Sequence, residues 1–212
     1  MSRNLILTTV FITLSMNSLY AQHKDNTKIS TDSARSFPAN ITFLLDISNS
    51  MGQDNKMVLL KKSTEELLKL LNKKDRISLI SFGNVVNTLY TTSSYTGSDS
   101  LLNIISRIRS KASATNINGG LFEAYELSKQ NLVKPGSNNI LLITDGEFDL
   151  NNFSRELVKT NANISLTCVI IGKGLAAENA IRYITEELKL KVITMVDEEK
   201  DVKRLTEIIV YQ

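Results

Sequence analysis

The chain has 212 residues, 42% hydrophobic and 22% charged, with 25 Lys and Arg against 22 Asp and Glu. A net charge of +3, evenly spread, is no nucleic-acid footprint, and the six Tyr and seven Phe are not interleaved with basic clusters as a single-strand stacking platform needs. One cysteine excludes an intramolecular disulfide framework.

The start of the chain has the pattern of a secretory signal peptide. Arg3 precedes an uncharged apolar run from Leu5 to Leu14, and a polar-to-small stretch ends at Leu19-Tyr20-Ala21. That apolar core is about ten residues long, half of the roughly 20 needed to cross a bilayer. Cleavage after Ala21 is therefore expected, with no membrane span afterwards. No Cys lies near that point to carry a lipid. Removal of residues 1–21 leaves 191 residues at +2, enough for one well-buried domain. Residues 22–36 carry almost no apolar side chains and read as a flexible tether, so the domain is expected to occupy 37–212. Export, to a periplasm or beyond the cell, follows. A disulfide-free domain of this size suits a bacterial envelope.

From Phe37 onward, apolar runs alternate with amphipathic stretches. ITFLLD (41–46) is a continuous apolar run, the signature of a strand covered on both faces. Met57, Leu60, Leu67, Leu68 and Leu71 then mark a helical stripe over 56–71. RISLISF (76–82) and VVNTLY (85–90) read as strands joined through Gly83-Asn84, which predicts an antiparallel edge strand. Helices are expected over 98–110, capped by Ser98 or Asp99, and over 120–132, closed by Lys134-Pro135-Gly136. The remainder reads as strand 138–145, helix 153–162, strand 164–172, helix 176–188, strand 192–196 and helix 198–211. This order predicts an α/β, doubly wound, mostly parallel six-stranded sheet with one antiparallel edge strand and helices on both faces. Ligands of such sheets bind beyond the carboxyl ends of the strands, where strand order reverses.

Two apolar strands end in aspartate. The first runs into Asp46-Ile47-Ser48-Asn49-Ser50; in an extended segment Asp46, Ser48 and Ser50 share one side and Ile47 faces the core. A carboxylate and two hydroxyls form an all-oxygen set suited to a hard cation such as Mg²⁺. Alone, this pattern equally describes an Asx or Ser/Thr turn. Thr115 precedes the pair Gly119-Gly120 at a helix start, and Asp145 ends the strand 138–145, followed by Gly146. A carboxylate at the end of a buried strand is costly unless paired or metal-bound, and a cation between Asp46 and Asp145 would relieve their repulsion.

DISNSM, TNINGG and TDG, in this order on alternating strands and helices, resemble the von Willebrand factor A domain and its metal ion-dependent adhesion site (MIDAS). The resemblance spans roughly 39–210. It implies that Ser48, Ser50 and Thr115 are direct hydroxyl ligands of Mg²⁺ (or Mn²⁺ or Ca²⁺), and that Asp46 and Asp145 bind directly or through water. One position stays open for an Asp or Glu carboxylate of a partner protein. Neutral hydroxyls leave the ion's charge only partly neutralised, so that carboxylate is strongly attracted. Asn49 and Asn118 stand where the family commonly has Gly; Asn tolerates a left-handed backbone best among the other residues.

These readings point to an adhesion or assembly module rather than an enzyme. The only His, His23, lies in the tether, and Cys168 lies within the apolar run 164–171 as a small buried hydrophobe, which excludes His- and Cys-based catalysis and zinc sites. No Walker-type loop occurs. Two alternatives remain open: a Mg²⁺-dependent phosphate-ester hydrolase using Asp46, although Ser48 stands where such enzymes place a second carboxylate, and a regulatory subunit of an envelope complex with a structural metal. Glu147 and Asp149 read as solvated acids at the rim of the site, and Lys61-Lys62 and Lys73-Lys74 as solvated helix faces and ends.

Overall fold

A computed structural model describes residues 37–97, 99–111, 113–187 and 191–210. The signal peptide and tether expected over 1–36 lie outside these residues, as does Ser98, one of the two caps expected for the second helix. Six strands form one sheet: β1 (Ala39–Asp46), β2 (Arg76–Phe82), β3 (Val86–Thr92), β4 (Ser137–Thr144), β5 (Ser165–Ile171) and β6 (Lys191–Val196). Their order is β3-β2-β1-β4-β5-β6; five run parallel, and β3 pairs antiparallel with β2 at the edge. The expected α/β class is what the chain adopts.

Covering helices are α1 (Lys56–Leu68), α2 (Asp99–Arg107), α3 (Ile117–Gln130), α4 (Asn152–Thr160), α5 (Leu175–Arg182) and α6 (Glu199–Val210). Alternation along β1 divides the core. Ile41, Phe43 and Leu45 pack on one face with Leu60 and Leu67 of α1, Ile105 of α2 and Leu205 of α6. Leu44 points to the other face, where Leu121 and Tyr125 of α3 meet Ile140, Leu142 and Ile170. Each fully buried Leu, Ile or Phe here contributes roughly 1.5–3 kcal/mol of transfer free energy. Both faces being covered explains why β1, β4 and β5 read as unbroken apolar runs, whereas edge strand β3 is half exposed. Among the described residues, no helix is long and apolar enough to cross a membrane.

Several boundaries differ from the sequence expectation. The third helix begins at Ile117, not 120, capped by the Asn116 side chain, which accepts a hydrogen bond from the Gly119 amide at 3.0 Å. Gly119 and Gly120 are thus helical. A Cβ at Gly120 would stand 3.1 Å from Phe82 Cβ and 3.2 Å from Leu44 Cδ1, so this glycine permits α3 to lie close on β1 and β2. The link between β2 and β3 is three residues, 83–85, one longer than read. The helix expected over 176–188 is α5 followed by a π turn at Tyr183–Glu187. The remaining expected elements shift by up to three residues at their ends.

β1 sits at the switch point. The chain leaves it to build β2 and β3 on one side, then crosses back to place β4 on the other, with Leu45 opposite Ile143. The carboxyl ends of β1 and β4 therefore lie side by side, carrying Asp46 and Asp145.

Candidate functional site

The Asp46 segment converges by a turn rather than by strand alternation. Asp46 closes β1, and its Oδ1 accepts the backbone N–H of Ser48 at 2.8 Å, which folds the chain back on itself. Asn49–Gly52 then forms a single right-handed 3₁₀ turn. That geometry brings Ser48 Oγ within 3.1 Å of Ser50 Oγ. The Asx turn thus brings together the side chains that the ligand reading of DISNS would need. Ile47 is partly buried against the core, as its alternation predicted. Asn49 needs no left-handed backbone, because a 3₁₀ turn suits any residue; the positive φ angles of non-glycine residues fall instead on Asp54 and Asn55.

Asp46 is fully buried, and its other oxygen, Oδ2, accepts a 2.6 Å hydrogen bond from Thr144 Oγ1 at the end of β4. Burial pushes the Asp46 carboxyl above its ordinary value; the bonds from Thr144 and Ser48 oppose that shift, and the nearby Asp145 charge adds to it. Asp46 therefore senses the charge of Asp145.

Thr115 lies on the loop before α3, and the β2–β3 turn holds that loop. Asn84 accepts the Ala114 N–H at 2.6 Å and donates to Ser113 Oγ at 3.0 Å, while the Asn116 N–H reaches Gly83 O at 2.7 Å. On its other side, Ser110 Oγ donates to Ser48 O at 2.7 Å. Ser48, Asn49, Ser50, Gln53, Thr115 and Glu147 line one cleft of about 260 Å³. Thr115 is partly exposed there, as is Ser50, whereas Ser48 is buried.

Asp145 follows β4 directly and is 3% exposed. Its Oδ1 accepts the Glu147 N–H at 3.3 Å, and its Oδ2 accepts the Lys56 ammonium at 3.0 Å. Gly146 has φ +84°, and a Cβ there would meet Ala180 Cβ at 2.2 Å, so only glycine permits this turn beneath α5. Of the two acids expected at the rim, Glu147 lines the cleft. Asp149 turns away, accepting from Tyr183 Oη at 3.3 Å and facing Arg155 at 3.5 Å. Lys61 is less solvated than expected, donating to Ser106 O of the neighbouring α2 at 2.8 Å.

Three contributors escaped sequence reading. Thr144 looked like one more β-branched strand residue, and Asn84 like a turn former. Lys56 did carry a signal: it opens α1, whose first turn has no acidic residue, and a cation at a helix N-terminus opposes the helix dipole. A lysine placed so needs a local reason, and Asp145 supplies it.

The donor set is chemically coherent for a hard divalent ion. Among the described residues no three of His, Cys, Asp and Glu group as a metal cluster, so an ion here would depend on hydroxyls beside the two carboxylates. Oxygens at adjacent corners of an octahedron around Mg²⁺, 2.0–2.1 Å from the ion, stand about 2.9 Å apart. The Ser48–Ser50 separation of 3.1 Å is close to that spacing.

Comparison with known proteins agrees with this fold. The profile of the von Willebrand factor type A domain matches residues 40–208, and the chain belongs to that family. Domains of this kind often serve as metal-dependent protein-interaction modules. The Escherichia coli (strain K12) protein YfbK, itself uncharacterized, is 30% identical over 112 residues, which is 53% of this chain and 19% of that protein. The chain thus spans about a fifth of the length of that curated relative. Among solved structures, a von Willebrand factor type A protein from Catenulispora acidiphila superposes with a TM-score of 0.66 at 16% identity, covering 81% of this chain and 42% of that one. Proximal thread matrix protein 1 of the mussel byssus, solved with a zinc-occupied MIDAS motif, gives 0.60 at 16% identity over 82% and 45% of the two chains. At these identities the likeness speaks for the fold.

Proposed function

We propose that the chain is a metal-dependent protein-binding module in which Asp46, Ser48, Ser50, Thr115 and Asp145 hold a divalent cation, Mg²⁺ by preference of the ligand chemistry. An Asp or Glu carboxylate of a partner protein completes the ion's coordination in the cleft. The observation that carries this reading is the meeting, at the sheet's switch point, of two buried aspartates with hydroxyls at near-octahedral spacing beneath an open cleft. The zinc-occupied MIDAS of the mussel byssus protein supports a divalent ion at such a site in this family, while the all-oxygen donors here favour a harder ion. The signal-peptide pattern of residues 1–21 and the tether at 22–36 support an exported module facing a partner in the cell envelope.

Nothing in the geometry favours the hydrolase alternative. Asp46 is fully buried and is not among the residues lining the cleft, so it does not present a nucleophile to a substrate there. The test is titration calorimetry of the purified protein with MgCl₂ and MnCl₂, paired with affinity capture from envelope extract in magnesium or in chelator. One-site ion binding and magnesium-dependent capture are expected, both lost in Asp46→Ala and Thr115→Ala proteins that stay folded. Absence of ion binding by the wild-type protein would sink the metal claim, and magnesium-dependent turnover of phosphate esters would favour the enzyme.

A further inference from the structure

Lys56 reaches Asp145 by an uncommon route. It stands at the start of α1, and its stem crosses the carboxyl end of β5: a Cβ on Gly172 would lie 3.3 Å from Lys56 Cε and 3.9 Å from Cδ. Gly172 has φ +109°, a conformation that favours glycine, and its N–H is anchored to Val196 O at 2.8 Å. The side chain is only 14% exposed, and its ammonium meets Asp145 Oδ2 at 3.0 Å, the carboxylate itself being 3% exposed. A long cationic side chain is thus ordered against the helix dipole and over a bare glycine, to end on the buried carboxylate of Asp145.

The exposed ion pairs differ in kind. Lys62 with Glu199 and Lys159 with Glu156 are solvated on both sides and contribute little. Lys56–Asp145 is shielded from water, so its attraction is strong, and removing either partner leaves the other charge costly. Without Lys56 the strand ends would place two carboxylates together without the ammonium that pairs with Asp145. With it, the three groups Asp46, Asp145 and Lys56 sum to a single negative charge when all are ionised.

We propose that Lys56 is the resident counter-cation of this site. It balances Asp145 when no divalent ion is bound and opposes the ion when one is, so that it lowers the site's affinity for divalent cations while keeping the metal-free fold stable. Lys56 is a positioning residue for Asp145 and not a ligand. Its amine and the incoming ion compete for the same carboxylate, and each additional positive charge close by raises the free energy of the other. The proposal rests on the divalent-ion reading of the site.

The experiment compares the full chain with its Lys56→Met and Lys56→Gln variants, with Lys62→Met as a same-helix control. Mg²⁺ affinity is read by titration calorimetry, and melting temperature is read in chelator and in saturating MgCl₂. Both Lys56 variants are expected to bind Mg²⁺ about tenfold or more tightly than wild type. They should also melt below wild type in chelator, with the gap closing in MgCl₂, while Lys62→Met behaves as wild type. A purely structural lysine would not yield tighter binding on removal. Should Lys56→Met fail to fold, Lys56→Gln, which keeps a donor for Asp145 without the charge, carries the comparison. Wild-type Mg²⁺ binding that is unchanged or weakened in the Lys56 variants overturns the proposal and leaves the metal site standing. A wild-type protein that binds neither Mg²⁺ nor Mn²⁺ overturns both.

Discussion

The sheet buries aspartate at both ends, and the two ends use it differently. At the amino ends of β1 and β2, Asp75 is fully buried; its Oδ1 accepts the Ala39 N–H at 2.8 Å and its Oδ2 the Asn72 N–H at 2.7 Å. At the carboxyl ends, Asp46 and Asp145 share their surroundings with hydroxyls, an ammonium and an open cleft. Asp75 ties main-chain segments together. The other pair places two carboxylates beside residues that line a cleft, Ser48 next to Asp46 and Glu147 next to Asp145. Burial of a carboxylate alone therefore says little about function; what its oxygens accept from, and whether a second carboxylate stands nearby, separates a staple from a candidate cation site.

Mutation at either end tests this difference. The largest expected effect is at the closed end: Asp75→Ala strands two amide groups, one of them on the fully buried Ala39, and should cost about 3 kcal/mol of unfolding free energy in urea titration. Mg²⁺ affinity of the remaining folded fraction should be unchanged. A variant that lost ion binding while keeping its stability would erase the distinction between the two ends.

At the open end, Thr144→Val keeps the strand residue's shape but removes the donor to Asp46 Oδ2 and the acceptor for the Gly146 N–H, 3.0 Å away. Partners that orient a ligand typically contribute 10–100-fold in metal affinity. A loss of roughly tenfold in Mg²⁺ binding by calorimetry is expected, with a smaller change in stability. Equal binding would remove Thr144 from the site.

The smallest effect concerns neither end. Cys168 lies in the middle of β5, and burial pushes its thiol up to about 12 from an ordinary value near 9. The shift is upward, so at pH 8 the folded protein holds almost no thiolate and should resist iodoacetamide. The reagent should label Cys168 only as the chain unfolds, which mass spectrometry across a urea series would report. Labelling of the native protein would show that β5 opens locally.

Sequence patterns sufficed for the elements that bury an unbroken apolar run. ITFLLD, RISLISF and ISLTCVII each became strands because a two-sided sheet buries nearly all of their residues, Arg76 and Ser165 at the strand starts excepted. The three segments with Asp46, Thr115 and Asp145 were legible as a group because oxygen-bearing side chains recurred at strand and helix ends. Where glycine had two possible roles, sequence was a poorer guide. Gly119 read as the end of a loop before a helix starting at Gly120, but α3 begins at Ile117, capped by Asn116, and Gly120 is where the helix lies against the side chains of Phe82 and Leu44 from two strands. That contact is invisible until β1 and β2 are side by side.

The chain's own order of apolar and polar residues determined the alternating fold, the edge hairpin and which oxygen-bearing residues are available at the strand ends, since burial and side-chain chemistry are local properties of residue type. Only the folded protein decided that Asp46 would be held by Thr144, that Asn84 would position the loop of Thr115, and that Lys56 would cross Gly172 to reach Asp145. These pairs lie 98, 30 and 89 residues apart or are joined through such contacts. Their meeting depends on strand order and on a bare glycine beneath a side chain, neither of which residue type encodes by itself.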